Sequence, residues 1–245
     1  MSSAGHEPPP AAGRARGPSP ERRRRPLLDL LPGEYRVHEV YASLQGEGSR
    51  AGLPCTFVRL TACHLRCSYC DTPRAFAGGS TWSHEALLSA VSQQSPRMVL
   101  LTGGEPLLHA DAPRLLRALC ERGYEVLLET SGSLSTEAVD PRVVVILDVK
   151  LPSSGEAAAN DWQNLSRLRP HDEVKFVIGD RHDFKHAVRL VAEHDLPARC
   201  HVLFGCVFDR LAPATLAAWI LEARVPVRLQ LQMHKYIWHP KAEGV

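Results

Sequence analysis

No run of eighteen apolar residues occurs in the 245-residue chain, so no α-helical membrane span is expected. An apolar signal-peptide core is also missing from the start. The seven cysteines are odd in number and do not pair off as in a small secreted framework. A reducing, cytoplasmic setting follows as the expectation. Twelve histidines show no H-E-x-x-H metal pattern. A general nucleic-acid surface is missing too. The formal net charge is only +2, and residues 1–26 carry six arginines (Arg14, Arg16, Arg22, Arg23, Arg24, Arg25) against Glu7 and Glu21. The rest of the chain is therefore mildly acidic, which argues against binding to nucleic acid.

What is present divides in two. Residues 1–26 are rich in Pro, Ala, Arg and Gly without an apolar period, and read as a disordered leader. Residues 27–245 read as a single α/β domain, with hydrophobic residues at 44% of the whole chain, enough for a sizeable core. Strands are expected near 36–42, 55–62, 97–102, 124–130, 143–149, 173–178, 200–204 and 227–232. Helices are expected near 83–93, 111–122, 182–194 and 213–223, the last with Leu216, Trp219, Ile220 and Ala223 on one face. Ser83 and Asp111 fit as N-caps, and Gly123 as the residue that ends the second helix.

Strand alternating with helix implies parallel strands and right-handed crossovers. "VVVILDV" (143–149) is apolar on both faces, as a sheet covered by helices requires. About six such units fit after residue 54, fewer than a full eight-unit barrel needs, so the expected fold is an incomplete, partial TIM-type β/α barrel. Sites then belong at the carboxyl ends of the strands. Four unusual segments fall there: "TACHLRCSYCDTP" (61–73), "TGGEP" (102–106), "ETSG" (129–132) and "DVKLPSSG" (148–155).

The first segment holds Cys63, Cys67 and Cys70 within eight residues. Structural zinc wants four ligands, and the chain has no second close cysteine pair, although Cys55 or His64 could supply a fourth. A disulfide would leave one thiol over. A four-iron cluster held by three thiolates keeps one iron open for a small molecule, whereas an electron-transfer ferredoxin normally closes it with a fourth cysteine. Cys55, Cys120, Cys200 and Cys206 read as small buried hydrophobes. In "TGGEP", Gly103 and Gly104 would let a ligand approach the backbone, and Glu105 would accept from a ligand ammonium group.

Cys-x3-Cys-x2-Cys, with Tyr69 before the last cysteine, resembles the radical S-adenosylmethionine (SAM) superfamily, as does the Gly-Gly-Glu segment. "SLQGEGSRAGLPCTFVRLTACHLRCSYCDT" (43–72), with "TGGEP", "ETSG" and "QLQMHKYIW" (230–238), is similar to the 7-carboxy-7-deazaguanine synthase (QueE) family. The resemblance spans residues 36–240. It implies a radical SAM core and a lyase. Such an enzyme contracts 6-carboxy-5,6,7,8-tetrahydropterin to 7-carboxy-7-deazaguanine with loss of ammonia, on the route to 7-deazapurines such as queuosine. The implied cofactors are a 4Fe-4S cluster on Cys63, Cys67 and Cys70, SAM, and Mg²⁺ with Thr72 as ligand. SAM contacts are implied at Tyr69, Gly103, Gly104, Glu105, Thr130, Ser131, Asp148, Val149 and Lys150, and substrate contacts at Leu44, Gln45, Gly46, Glu47, Arg59, Thr102 and His234. Gln45 offers donor and acceptor to a pterin edge, Gly46 and Gly48 allow backbone contact with the ring, Glu47 accepts ring N–H groups, and Arg59 can fork onto a carboxylate. A homodimer and a low-potential electron donor such as flavodoxin or ferredoxin are also implied. The Gln-Gly-Glu-Gly opening occurs in glycyl-radical activases as well, but no extra ferredoxin-like cysteine clusters accompany it here. A non-catalytic iron–sulfur or zinc module is the remaining alternative. In some members of the family a chain terminus lies at the substrate, and "HPKAEGV" (239–245) departs from that pattern.

Overall fold

Alternation along the strands decides how the chain layers. The computed structural model describes residues 28–245, so the leader expected over 1–26 lies outside the described residues. In chain order the elements are β1 (Glu34–Leu44), β2 (Pro54–Leu60), β3 (Ser80–Ser83), α1 (His84–Ser92), β4 (Met98–Gly103), α2 (Ala112–Glu121), β5 (Glu125–Thr130) and β6 (Val144–Asp148). They continue with α3 (Gln163–Ser166), β7 (Glu173–Ile178), α4 (Arg181–Glu193), β8 (His201–Cys206), α5 (Pro213–Ala223), β9 (Arg228–Gln230) and α6 (His234–Ile237).

All nine strands form one sheet in the order β3-β1-β2-β4-β5-β6-β7-β8-β9. From β2 to β9 every pairing is parallel, giving seven parallel strands, one more than expected. β1 and β3 are antiparallel additions at one edge. The sheet stays open, as an incomplete barrel must. β3 escaped the sequence reading because "STWS" is short and mostly exposed, with no apolar alternation to mark it.

Every second strand residue points outward to the helices. Val58, Leu60, Val99, Leu101, Val126, Leu128, Val145, Leu147, Val174 and Phe176 join α1, α2 and α4 in the main core. The alternate residues face the concave side. There Cys55, Phe57, Met98, Leu100, Leu127, Val144 and Ile146 form a second, smaller core that floors the barrel. The Ser83 hydroxyl accepts from the Ala86 N–H at 3.2 Å and caps α1 as expected. Asp111 stands at the start of α2 but does not cap it, because its carboxylate accepts from the Gly33 N–H instead. On α5 only Leu216 is fully buried, with Trp219 and Ile220 packed partly against the core and Ala223 exposed, since this helix covers the thin β8–β9 end of the sheet.

Candidate active site

Continuing up the concave face, the apolar floor gives way to polar side chains at inward positions near the strands' carboxyl ends. These are Arg59 on β2, Thr102 on β4, Glu129 on β5, Asp148 on β6 and Lys175 on β7, and all line one cavity of about 900 Å³ at the carboxyl ends of the strands. Cys63, Cys67, Tyr69, Cys70 and Thr72 line the same cavity from the loop after β2, and Leu44, Gln45, Gly46 and Glu47 from the β1–β2 connection. Gly103, Gly104, Thr130, Ser131, Lys150 and His234 complete the expected residues found there.

Burial pushes Cys63 up to about 11, with Glu105 and the other two cysteines adding to it against a backbone hydrogen bond at Leu65. Cys67 and Cys70 are raised too, first by burial, with Lys150 pulling the other way at both. Three thiolates here call for positive charge, which iron supplies. Among the described residues no three His, Cys, Asp or Glu side chains converge closely enough to hold a single metal ion, and the three thiols line one cavity. Cys55 is fully buried in the barrel floor and is no fourth ligand. Tyr69 Oη and Asp148 Oδ1 are buried with no hydrogen-bond partner among the described residues, and both residues face the cavity. An unpaired donor and acceptor of this kind suit a polar molecule seated between them. Cluster and SAM therefore fit the residues present.

The loop is braced on several sides. Arg66 donates to the Cys63 carbonyl at 2.7 Å and lies 4.3 Å from the Phe76 ring centroid. The Ser68 N–H donates to the Ser154 carbonyl at 2.9 Å, and the Ser68 hydroxyl to that of Ser153 at 2.7 Å. Lys150 pairs with Asp148 at 2.9 Å, while the Asn160 carboxamide holds both the N–H and the C=O of Lys150 at 2.9 Å. Thr72 donates to Asp71 at 3.0 Å. Asp71 also accepts from Lys235 at 3.1 Å, and against the penalty of desolvation this ammonium holds the carboxyl well below the usual range.

At four places the packing gives expected contact residues work within the protein. Glu105 does not face the cavity. It is fully buried, and its carboxylate accepts from the Leu107 N–H at 3.0 Å, the Thr130 hydroxyl at 2.8 Å and the Ser131 N–H and hydroxyl at 2.8 and 2.5 Å. It anchors the "ETSG" turn. Gly103 and Gly104 line the cavity and are also required by the protein's own packing, because added Cβ atoms would stand 2.2 Å from the Leu60 and Ala62 carbonyl oxygens. Gly46 and Gly48 likewise make room for His234 Nδ1 (2.2 Å) and Glu173 Oε2 (2.5 Å). Val149 is buried in the main core and gives its N–H to the Lys175 carbonyl at 2.9 Å.

Arg59 reaches the cavity wall already paired, with Nε 2.6 Å from Glu39 and an N–H donated to the Tyr41 hydroxyl at 3.2 Å. Sequence reasoning missed Glu129, Lys175, Gln230, Gln232 and Asp71. Glu47 accepts from Lys175 at 2.9 Å, Gln230 at 2.8 Å and Gln232 at 3.0 Å. A polar residue interrupting the inward alternation of "LLET" or "VKFVI" was the available signal. Cys206 also departs from expectation by lining the cavity, whereas Cys55 and Cys200 are buried in cores as read. The segment His239–Val245 lines the cavity too, with Glu243 3.5 Å from Arg74.

Comparison with known proteins agrees with this geometry. Residues 58–206 match the family model of the radical SAM superfamily. The 7-carboxy-7-deazaguanine synthase of Koribacter versatilis is 43% identical over 224 residues, covering 85% of this chain and 99% of that one. The enzyme of the same name from Chlorobaculum tepidum is 44% identical over 212 residues, covering 85% and 96%. The crystal structure of QueE from Escherichia coli superposes with a TM-score of 0.69 at 26% identity, covering 82% of this chain and 95% of that one.

Proposed function

Since the chain belongs to the 7-carboxy-7-deazaguanine synthase family of the radical SAM superfamily, we infer that its cavity contracts 6-carboxy-5,6,7,8-tetrahydropterin to 7-carboxy-7-deazaguanine and releases ammonia. The observation that carries this reading is that one cavity is lined both by the cysteine loop and by Gln45, Glu47 and Arg59. A 4Fe-4S cluster with SAM supplies, when bound, the 5′-deoxyadenosyl radical that removes hydrogen from C6.

In this proposal Cys63, Cys67 and Cys70 hold the cluster. Tyr69, Asp148 and Lys150 meet polar groups of SAM, helped by Gly104, Thr130 and Ser131. Glu105 acts one layer back by fixing Thr130 and Ser131. Gln45 and Glu47 take the donor-rich pterin edge, Thr102 and His234 add contacts, and Arg59 neutralises the substrate carboxylate. Thr72 is the protein's ligand to Mg²⁺, an ion that keeps waters and shares substrate oxygens. A low-potential donor of the flavodoxin or ferredoxin type, a homodimer and a cytoplasmic location complete the proposal. Among the described residues no helix is long and apolar enough to cross a membrane.

The test is an anaerobic assay of reconstituted protein with SAM, Mg²⁺, dithionite and the pterin, read by mass spectrometry. The carboxylated deazaguanine is the expected product. 5′-Deoxyadenosine without it would overturn the substrate and keep the radical chemistry.

A further inference from the structure

β7 sets two opposite charges side by side. Glu173 and Lys175 are two positions apart, hence on the same face of the strand. The β1–β2 connection meets them in turn. Ser49 donates to Glu173 through its hydroxyl at 2.5 Å and its N–H at 3.2 Å, and Glu47 accepts from Lys175 at 2.9 Å. Lys175 also pairs with Glu129 and stands 3.7 Å from Asp148. Its side chain is only 6% exposed. Against the penalty of burial, Glu129, then Glu47 and Asp148, hold its ammonium well above the usual range, so it is charged. One cation thus gathers three carboxylates from three separate elements.

We propose that Lys175 is the positioning residue of the substrate half of the cavity, fixing Glu129 and Glu47 so that their remaining lone pairs face the bound ring. This rests on the reading of the cavity as a pterin site. A pterin edge presents ring N–H and amino donors at fixed spacing, and needs acceptors that do not swing. Without the ammonium, Glu47, Glu129 and Asp148 would repel one another. Glu47 would still be held by Gln230 and Gln232. Glu129 would keep only the longer bond from the Thr102 hydroxyl at 3.3 Å, among the described residues. The effect of Lys175 therefore passes mainly through Glu129. The cysteine loop makes its own contacts with Ser153, Ser154 and Lys235, its link to Glu47 runs through Gln232, and Asp148 keeps its nearer partner Lys150 at 2.9 Å, so the cluster half loses no direct partner with Lys175.

The experiment measures equilibrium binding of 6-carboxytetrahydropterin and of SAM to anaerobically reconstituted enzyme, together with iron content. Lys175→Met should weaken pterin binding about 30-fold, as the loss of a charged buried partner does. SAM affinity should change by less than about twofold and iron content should hold, while Lys175→Arg recovers most of the loss. In a Glu129→Gln background the further effect of Lys175→Met should fall to about threefold or less, the mark of a shared path. Unchanged pterin binding, equal loss for SAM and pterin, or full additivity with Glu129→Gln overturns the inference alone. An unaltered enzyme that fails to bind the pterin overturns both the functional reading and this inference. Should Lys175→Met lose the fold, Lys175→Gln takes its place under the same criteria.

Discussion

Ala62 is the residue at which β2 turns into the cysteine loop, and it holds a positive φ of 85° without being glycine. Its N–H donates to the Ala75 carbonyl and its C=O accepts from the Glu105 N–H, both at 2.8 Å. Those two bonds hold a conformation that an L-residue resists. Ala62→Gly should therefore keep the fold and gain up to about 1 kcal/mol in denaturant unfolding, whereas Ala62→Val should lose stability. At Cys63, Cys67 and Cys70, replacement by alanine should lower bound iron sharply while far-ultraviolet circular dichroism stays unchanged. Full iron retention would show that the cluster lies elsewhere. Arg59→Ala should raise KM for the pterin far more than the dissociation constant for SAM, as the proposed role of its guanidinium at the substrate carboxylate requires. Equal loss of both would mark a folding defect. Most of these positions were legible in the sequence because they sit in short motifs with unusual spacing. Glu129 and Lys175 were not. A charged residue within a strand reads as solvent-facing, and what buries these two arrives from residues 46 and 128 positions apart in the chain.

Strand and helix boundaries were readable where an element buries one full face, as in α2 and α4, and unreadable where it does not, as in β3. Irregular turns hide a further dependence. His109 closes the turn after "TGGEP" and is 2% exposed, with its Nε2 accepting the Arg36 N–H of β1 at 3.3 Å. Burial pushes this imidazole down to about 4 from an ordinary 6.5, although the backbone at Pro106 and Arg36 pulls it back up. The unfolded chain takes up a proton near 6.5 that the folded chain refuses until about 4. The stability due to neutral His109 is thus whole above pH 6.5 and is lost as pH falls through about 4, by at most about 3 kcal/mol. Urea unfolding at pH 7 and pH 5 should show a smaller difference for His109→Gln than for the unaltered protein. An identical difference would remove His109 from the account.

For the whole molecule, the open edge of the sheet is the weak point, and the β1–β2 connection spans toward it. The Gly48 N–H donates to Gln230 on β9 at 2.9 Å, while Ser49 and Arg50 both reach the fully buried Glu173 on β7. Removing that carboxylate takes the partner from the half-buried Ser49 N–H and hydroxyl and leaves a gap in the interior, so Glu173→Ala should cost about 3 kcal/mol in unfolding free energy. The incomplete barrel was legible from strand count and chain length. That a loop near the start would bind the last strand was not, because nothing local in "QGEGSR" names its partners. This stitching has a consequence in time. Gly48 meets a residue 182 positions later, so a growing or refolding chain can complete its hairpin and central parallel strands long before the cavity exists. Binding competence should be the last property acquired. In pulsed hydrogen exchange the amides of Gly48 and Ser49 should gain protection after those of β4 and β5, and the pterin should be bound by nascent chains only once β9 has been made.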